Sequence, residues 1–358
     1  MRLLSTALCT TAAVALLAGC SGNMTGTTPG TGSTGTQSQF SSHGKHIPHW
    51  SYPATVVPQG MAPIGMQSIR TRPEIKKKHS STGGIYVSQF YAGLINGYPH
   101  KNTSNGPPTC SLTASYPNNI ATDMVGNLID PDGGSRSVIV YSGPGMCGSE
   151  LGSFSDSYGQ PSDAASSNAS TGTIAVGNIF DNSDAPGSIS VCTLAGGCTA
   201  NLTNPNMYEV AGVAMDKSGN CWASAVTSGG TATLTYFAGC TGAGEAATGY
   251  LNSSYGGLDI DNNGNLVSIS YSSSQVYVYS GCNPGCTVVG GPFTLQGEAV
   301  FGHLNRQSMT YCTGDFLNGE ADVYYYSPTS LTYWYSFNNG MDASDDVEGC
   351  AYNPASKQ

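Results

Sequence analysis

The chain has 358 residues, of which only 9% are charged (Lys+Arg 12, Asp+Glu 22), with 48 Gly and 39% apolar residues. So little charge excludes a helical enzyme of the usual kind, whose helices carry Glu, Lys and Arg on their wet faces. The 21 Tyr and the β-branched runs exclude charge-driven disorder, which leaves an exported, all-β protein surfaced with Gly, Ser, Thr and Asn.

Residues 1–19 begin Met-Arg and run through an apolar stretch to Leu17. Arg2 supplies the positive start of a signal peptide, and Thr11 to Leu17 is too short an apolar core to span a bilayer. The tetrapeptide Leu17-Ala18-Gly19-Cys20 resembles a bacterial lipobox. That resemblance implies cleavage before Cys20, a diacylglycerol on its thiol and a membrane anchor at the cell envelope. Ser21 in the following position, where Asp tends to retain such proteins in the inner membrane, implies the outer membrane or cell surface. An ordinary signal peptide with a nearby Cys is the alternative. Residues 20–83 form the lipidated Cys and a flexible linker rich in Gly, Thr, Ser and Pro, unable to bury enough apolar surface to offset its ordering entropy. Lys76-Lys77-Lys78 near its end is either a solvated run or a contact for anionic headgroups.

Charge separates the two parts. Residues 1–83 hold seven of the basic residues and one acid, Glu74, leaving five basic and 21 acidic residues in 84–358, a net −16. That field excludes nucleic acid as a partner of the domain.

From residue 84 onward one pattern recurs: a short apolar strand, a turn written Asp-x-x-Gly-Asn, and a second strand. Its clearest copies contain Asp123–Asn127, Asp216–Asn220 and Asp261–Asn265; weaker ones lie around Asp163 and His303, and a last one, Val347 to Asn353, ends with the chain. Equivalent strand positions are Ile120, Ala164, Val213, Leu258, Val300 and Cys350, at intervals of 42 to 50 residues. Further alternating runs, such as Ser137–Ser142, Gln275–Ser280 and Ala321–Ser327, bring each unit to about four strands, the make-up of a propeller blade. The last copy has a first strand only, whereas Gly83–Phe90 looks like a second strand lacking a first. Joining them predicts a six-bladed β-propeller over 84–358, its last blade closed by strands from both ends of the domain, and a monomer without exposed sheet edges. The Asp-x-x-Gly-Asn-Leu units at this period resemble the NHL-type six-bladed propeller superfamily, which includes gluconolactonase-like propellers.

Ten cysteines remain once Cys9 and Cys20 are set aside, and an even number in an exported Gly-rich domain predicts disulfides. Tight turns between them pair Cys192 with Cys198 and Cys282 with Cys286, and a hairpin pairs Cys221 with Cys240. Elimination leaves Cys110–Cys147 and Cys312–Cys350 between neighbouring blades. A zinc site is the poorer reading, because no Cys-x₂-Cys pair is present.

No hydrolase, zincin or phosphate-loop motif is present. His303, at the end of an inner strand, and Glu348 are the weak catalytic candidates, and His100 is the domain's other histidine. Glu298 and Glu348 stand two residues before Val300 and Cys350, with Asn118 at the same place in the first unit, so the three are candidates for one channel mouth. In gluconolactonase-like propellers a Glu, two Asn and an Asp hold a divalent metal near that location; the resemblance thus implies a divalent cation such as calcium, although the other units offer Ser162, Ala211 and Gly256. Asp259-Ile-Asp261-Asn-Asn263-Gly264 reads as a hairpin corner before it reads as a calcium loop, and Asp342–Glu348 as a solvated acidic loop or a surface calcium site. The triplets Tyr324–Tyr326 and Tyr333–Tyr335 either fill the space between blades or present a glycan or peptide platform. The function expected is non-catalytic binding of a protein, peptide or glycan, with a metal-dependent hydrolase and a structural envelope protein as alternatives.

Overall fold

The computed structural model describes residues 83–353 apart from 144, 167–171, 182–185 and 343–345. Leu17–Cys20, the linker and Lys76–Lys78 therefore lie outside the described residues. The described chain forms six four-stranded antiparallel sheets and two short 3₁₀ turns. Five sheets are continuous in sequence, and we number them blades one to five. Their first strands are Ala121–Thr122, Gly159–Ser166, Glu209–Met215, Leu258–Ile260 and Gly302–Leu304. Blade six has Val347–Tyr352 as its first strand, followed by Gly84–Gln89, Leu94–Pro99 and Cys110–Thr113. Cys350 pairs with Val87 and Tyr352 with Ile85, so the chain's late strand closes its earliest sheet. The first strands of successive blades touch one another all the way round, making a six-bladed propeller with these strands innermost.

The repeated turn has a specific physical basis. In blade three, Asp216 Oδ1 accepts the backbone N–H groups of Ser218 and Asn220, and Oδ2 accepts the Asn220 amide. The Asn220 side-chain Oδ1 in turn accepts Gly239 N–H from beyond the third strand. Asp123, Asn127 and Gly143 repeat this arrangement in blade one, and Asp261 and Asn265 repeat its first half in blade four. Gly219 and Gly264 sit at φ 83° and 79°, which a side chain would resist. In blade five Asn305 takes over, its Oδ1 accepting Met309 and Thr310 N–H.

Between blades the alternating side chains interdigitate. Ile129, Val138 and Val140 of blade one meet Ala164, Ile174 and Val176 of blade two, and a comparable cluster fills each of the other five interfaces. Each fully buried aliphatic side chain is worth about 1.5–3 kcal/mol of transfer free energy, so the ring is held mainly by these six clusters. Tyr324, Tyr326 and Tyr335 belong to them, while Tyr325 and Tyr333 are exposed, with Tyr325 stacked on Trp334 at 4.5 Å. Near the axis backbones approach closely. A Cβ on Gly212 would stand 2.3 Å from Gly256 O, and one on Gly349 would stand 2.9 Å from Asn119 Cα.

Among the described residues there are five disulfides, and they join the pairs expected: Cys110–Cys147, Cys192–Cys198, Cys221–Cys240, Cys282–Cys286 and Cys312–Cys350. The first ties blade six to a turn of blade one, and the last ties blade five to the closing strand; the other three stay within a blade.

Candidate functional site

Four polar side chains from four blades meet at the axis. Asn119 Nδ2 donates to Asp163 Oδ1 at 2.6 Å and lies 3.0 Å from His303 Nε2, while His303 Nδ1 is 3.4 Å from Asp259 Oδ2. Asp163 Oδ2 also accepts Val213 N–H from blade three, and Asp259 Oδ2 accepts Leu304 N–H from blade five. The tautomer that fits places the proton on Nδ1, facing Asp259, and lets Nε2 accept from Asn119. Burial pushes the Asp163 carboxyl up to about 7, against the pull of His303 and of its hydrogen bonds. For His303 burial opposes the charge, but Asp259 and then Asp163 outweigh it and the imidazole is raised. With both ring nitrogens engaged, the network laces blades together and presents no nucleophile. The repeat held a signal for it. Asn119 and Asp163 come one residue before the aligned positions Ile120 and Ala164, where the other units have Gly212, Gly257, Ala299 and Gly349. Sequence reasoning looked one residue further out, at Asn118.

Beyond the C-terminal ends of the inner strands opens a funnel of about 430 Å³, to which all six blades contribute. Asp259 and Leu304 line it, and so do the turn residues Asp123, Asp216 and Asp261. Those three carboxylates are occupied by the turn hydrogen bonds, and Asp261 Oδ2 also accepts the Tyr326 hydroxyl at 2.9 Å, which makes that segment a hairpin corner. Lys217 and Arg306, both exposed, stand in the funnel wall. They are two of the five basic residues in 84–358, and they stand beside the carboxylates of Asp123, Asp216, Asp259 and Asp261, so the funnel lining carries both signs of charge. This mouth was missed because the Asp-x-x-Gly-Asn motif read as turn chemistry alone.

The opposite mouth, at the N-terminal ends of the inner strands, holds the acids singled out from sequence. An apolar plug of Ala211, Val300, Phe301 and Phe316 is flanked by Tyr255 and Tyr271. Glu298 and Glu348 both act electrostatically on Tyr271, whose hydroxyl is raised by burial first and then by these charges. Tyr255 donates to Glu209 Oε2 at 3.3 Å, and burial raises the Glu209 carboxyl. Asn118 is fully buried, and its amide donates to Pro161 O at 3.0 Å. Ser88 Oγ links the Asn118 carbonyl to Gly349, next to Glu348. Among the described residues, two sets of three Asp, Glu, His or Cys side chains bring ligand atoms within 4.8 Å of one another, and neither includes Glu298 or Glu348. His100 lies on blade six, edge-on to Tyr352 at 5.6 Å, with its imidazole lowered by burial and then by Lys101.

No family model matches the sequence, and no curated protein matches it. Solved structures match the fold. A crystal structure of a nidogen/laminin complex superimposes with a TM-score of 0.59 at 12% identity, covering 77% of this chain and 100% of the other. A protein of unknown function from Bacteroides caccae gives 0.53 at 11% identity, covering 76% and 99%. At such identities the likeness is one of fold: the chain is a six-bladed β-propeller.

Proposed function

We propose that this protein is a lipid-anchored propeller of the NHL type that binds a protein, peptide or glycan at the bacterial cell envelope without transforming it. The observation that carries this reading is the funnel, a cavity contributed to by every blade and edged by Lys217 and Arg306, with no reactive side chain left free in the axial network beneath it. A polar ligand entering there meets those two cations beside the carboxylates of Asp123, Asp216, Asp259 and Asp261. The anchor part rests on Leu17-Ala18-Gly19-Cys20, and the long Gly/Ser/Thr segment after it supplies reach. The hydrolase reading draws less support, because Glu298 and Glu348 join no set of three Asp, Glu, His or Cys ligand atoms among the described residues.

The test uses the full chain on glycan and peptide arrays, beside the double variant Lys217→Glu/Arg306→Glu. A ligand held by the wild type and weakened about tenfold or more in the variant supports the reading, a change of about 1.4 kcal/mol. Equal binding by both proteins, or lactone turnover abolished by Glu348→Gln, overturns it. For the anchor, labelled fatty acid should enter the wild type and not Cys20→Ser; label in both sinks lipidation at that thiol.

A further inference from the structure

Blade five carries a second polar cluster, away from the funnel and independent of the binding reading. The strands Thr310–Asp315 and Glu320–Ser327 pair so that Thr313 faces Asp322 and Asp315 faces Glu320. Residues opposite one another in an antiparallel pair share a face, as do residues two apart along a strand. The register therefore gathers one hydroxyl and three carboxylates on a single face. One oxygen from each of Asp315, Glu320 and Asp322 lies within 4.8 Å of the other two. Asp315 and Asp322 are 0% and 1% exposed, whereas Glu320 is half-buried and leaves the cluster an open side.

Like charges gathered in so dry a place need a counter-charge. Two buried oxygens of the group, Asp322 Oδ1 and Thr313 Oγ1, have no hydrogen-bond partner. The other atoms are held firmly. Asp315 Oδ1 accepts Leu317 and Asn318 N–H, and its Oδ2 accepts the Asn318 amide at 2.7 Å. Asp322 Oδ2 accepts the Tyr324 hydroxyl, which itself accepts Gln296 N–H at 3.0 Å. A carboxylate oxygen accepts about two bonds, so Asp315 Oδ1 is filled by its two N–H donors and an ion would draw on Asp315 Oδ2, Asp322 and Glu320. Gly297 belongs to the arrangement, since a Cβ there would stand 1.7 Å from Asp315 Oδ2.

The geometry points to a divalent-cation site, selective for calcium, made by Asp315, Glu320 and Asp322 with the Thr313 hydroxyl beside them. An all-oxygen, carboxylate-rich set without His or thiolate suits a hard cation, and irregular placement on a twisted hairpin suits calcium over magnesium, which demands near-octahedral geometry. The ion would clamp the turn Phe316–Gly319, whose Phe316 N–H donates to Glu298 O at 3.2 Å and whose Phe316 ring sits in the apolar plug. A cation on blade five thus firms the N-terminal mouth.

The test is a titration of the chelator-stripped full chain with calcium chloride alone and with magnesium chloride alone, by calorimetry and thermal unfolding. One calcium per chain is expected, with magnesium at least tenfold weaker. At a hundredfold excess over Kd the melting temperature should rise by roughly 5–10 °C. Asp322→Asn and Glu320→Gln should each weaken calcium at least tenfold, and in chelator Asp322→Asn should melt no lower than the wild type. Absence of calcium binding to the wild type, or undiminished binding in both variants, overturns the site; magnesium binding as tight as calcium overturns the selectivity. Should Asp322→Asn not fold, the half-buried Glu320→Gln decides the question alone.

Discussion

Removing the Cys312–Cys350 bridge should destabilise the propeller more than removing any bridge inside a blade. The perturbation is the double variant Cys312→Ala/Cys350→Ala, chosen because both sulfurs are fully buried and Ala leaves no unpaired hydroxyl behind. The bridge spans 38 residues of sequence, and no other disulfide lies within that span. Chain entropy alone then assigns it about 4 kcal/mol at room temperature. Cys282–Cys286 spans 4 residues, for which the same relation gives about 2 kcal/mol. The difference of about 2 kcal/mol depends only on loop length. For a domain of this size about 4 kcal/mol corresponds to a fall in melting temperature of roughly 8–16 °C. Thermal and urea unfolding of wild type and both double variants, with and without reductant, measures it. In reductant, where all bridges open, the gap between wild type and Cys312→Ala/Cys350→Ala should close to the small packing change. A gap that persists under reductant, or equal costs for the two bridges, would refute the reasoning.

Three further outcomes are expected. Asp163 carries a carboxyl raised from 3.8 to about 7, so the folded state holds a proton that the unfolded chain has lost across that window; stability should fall as pH rises through it. His303, also raised, acts in the same sense, its contribution being full below its unfolded value and lost as pH climbs through the folded one. Asp163→Asn should flatten the profile of melting temperature against pH, and an unchanged slope would dismiss Asp163 as its source. Gly349→Ala places a methyl 2.9 Å from Asn119 Cα and 3.0 Å from Ile120 N, backbone atoms that cannot swing aside; a loss of about 1–3 kcal/mol is expected by denaturant unfolding. Asp216→Ala strips acceptors from Ser218 N–H, Asn220 N–H and the Asn220 amide. It should cost about 1–3 kcal/mol, while Asp216→Asn, which keeps one oxygen, should cost less; equal losses would argue against the hydrogen bonds as the cause.

The fold was legible because its unit is written in local chemistry. Asp216, Gly219 and Asn220 must be what they are to make their turn, and three such turns at a fixed period announce a blade before any long-range contact is known. The closure could be read for a similar reason: among the described residues Val347–Tyr352 is the last strand and takes the first place in a blade, and Gly84–Gln89 is the earliest and takes the second. The axis was harder. Asn118 and Asn119 are neighbours of one type just before the strand Ala121–Thr122, yet one amide goes to Pro161 and the other to Asp163 and His303, so a shift of one residue decides which partners are read. The acidic cluster was out of reach of sequence. Asp315, Glu320 and Asp322 share a face only once the turn from Phe316 to Gly319 has fixed the register of their hairpin.

The closing strand also sets a rule of order for synthesis. Gly84–Gln89 is among the first propeller strands to leave the ribosome, and its inner partner Val347–Tyr352 is among the last. Until then blade six has an unpaired inner edge, and the clusters that join it to blades five and one cannot form. A chain interrupted before Val347 would hold at most five complete blades and no ring, with a strand edge open to neighbouring chains. Sealing the ring with Val347–Tyr352 thus makes synthesis through that strand a condition for solubility, and Cys350 can reach Cys312 only after that condition is met.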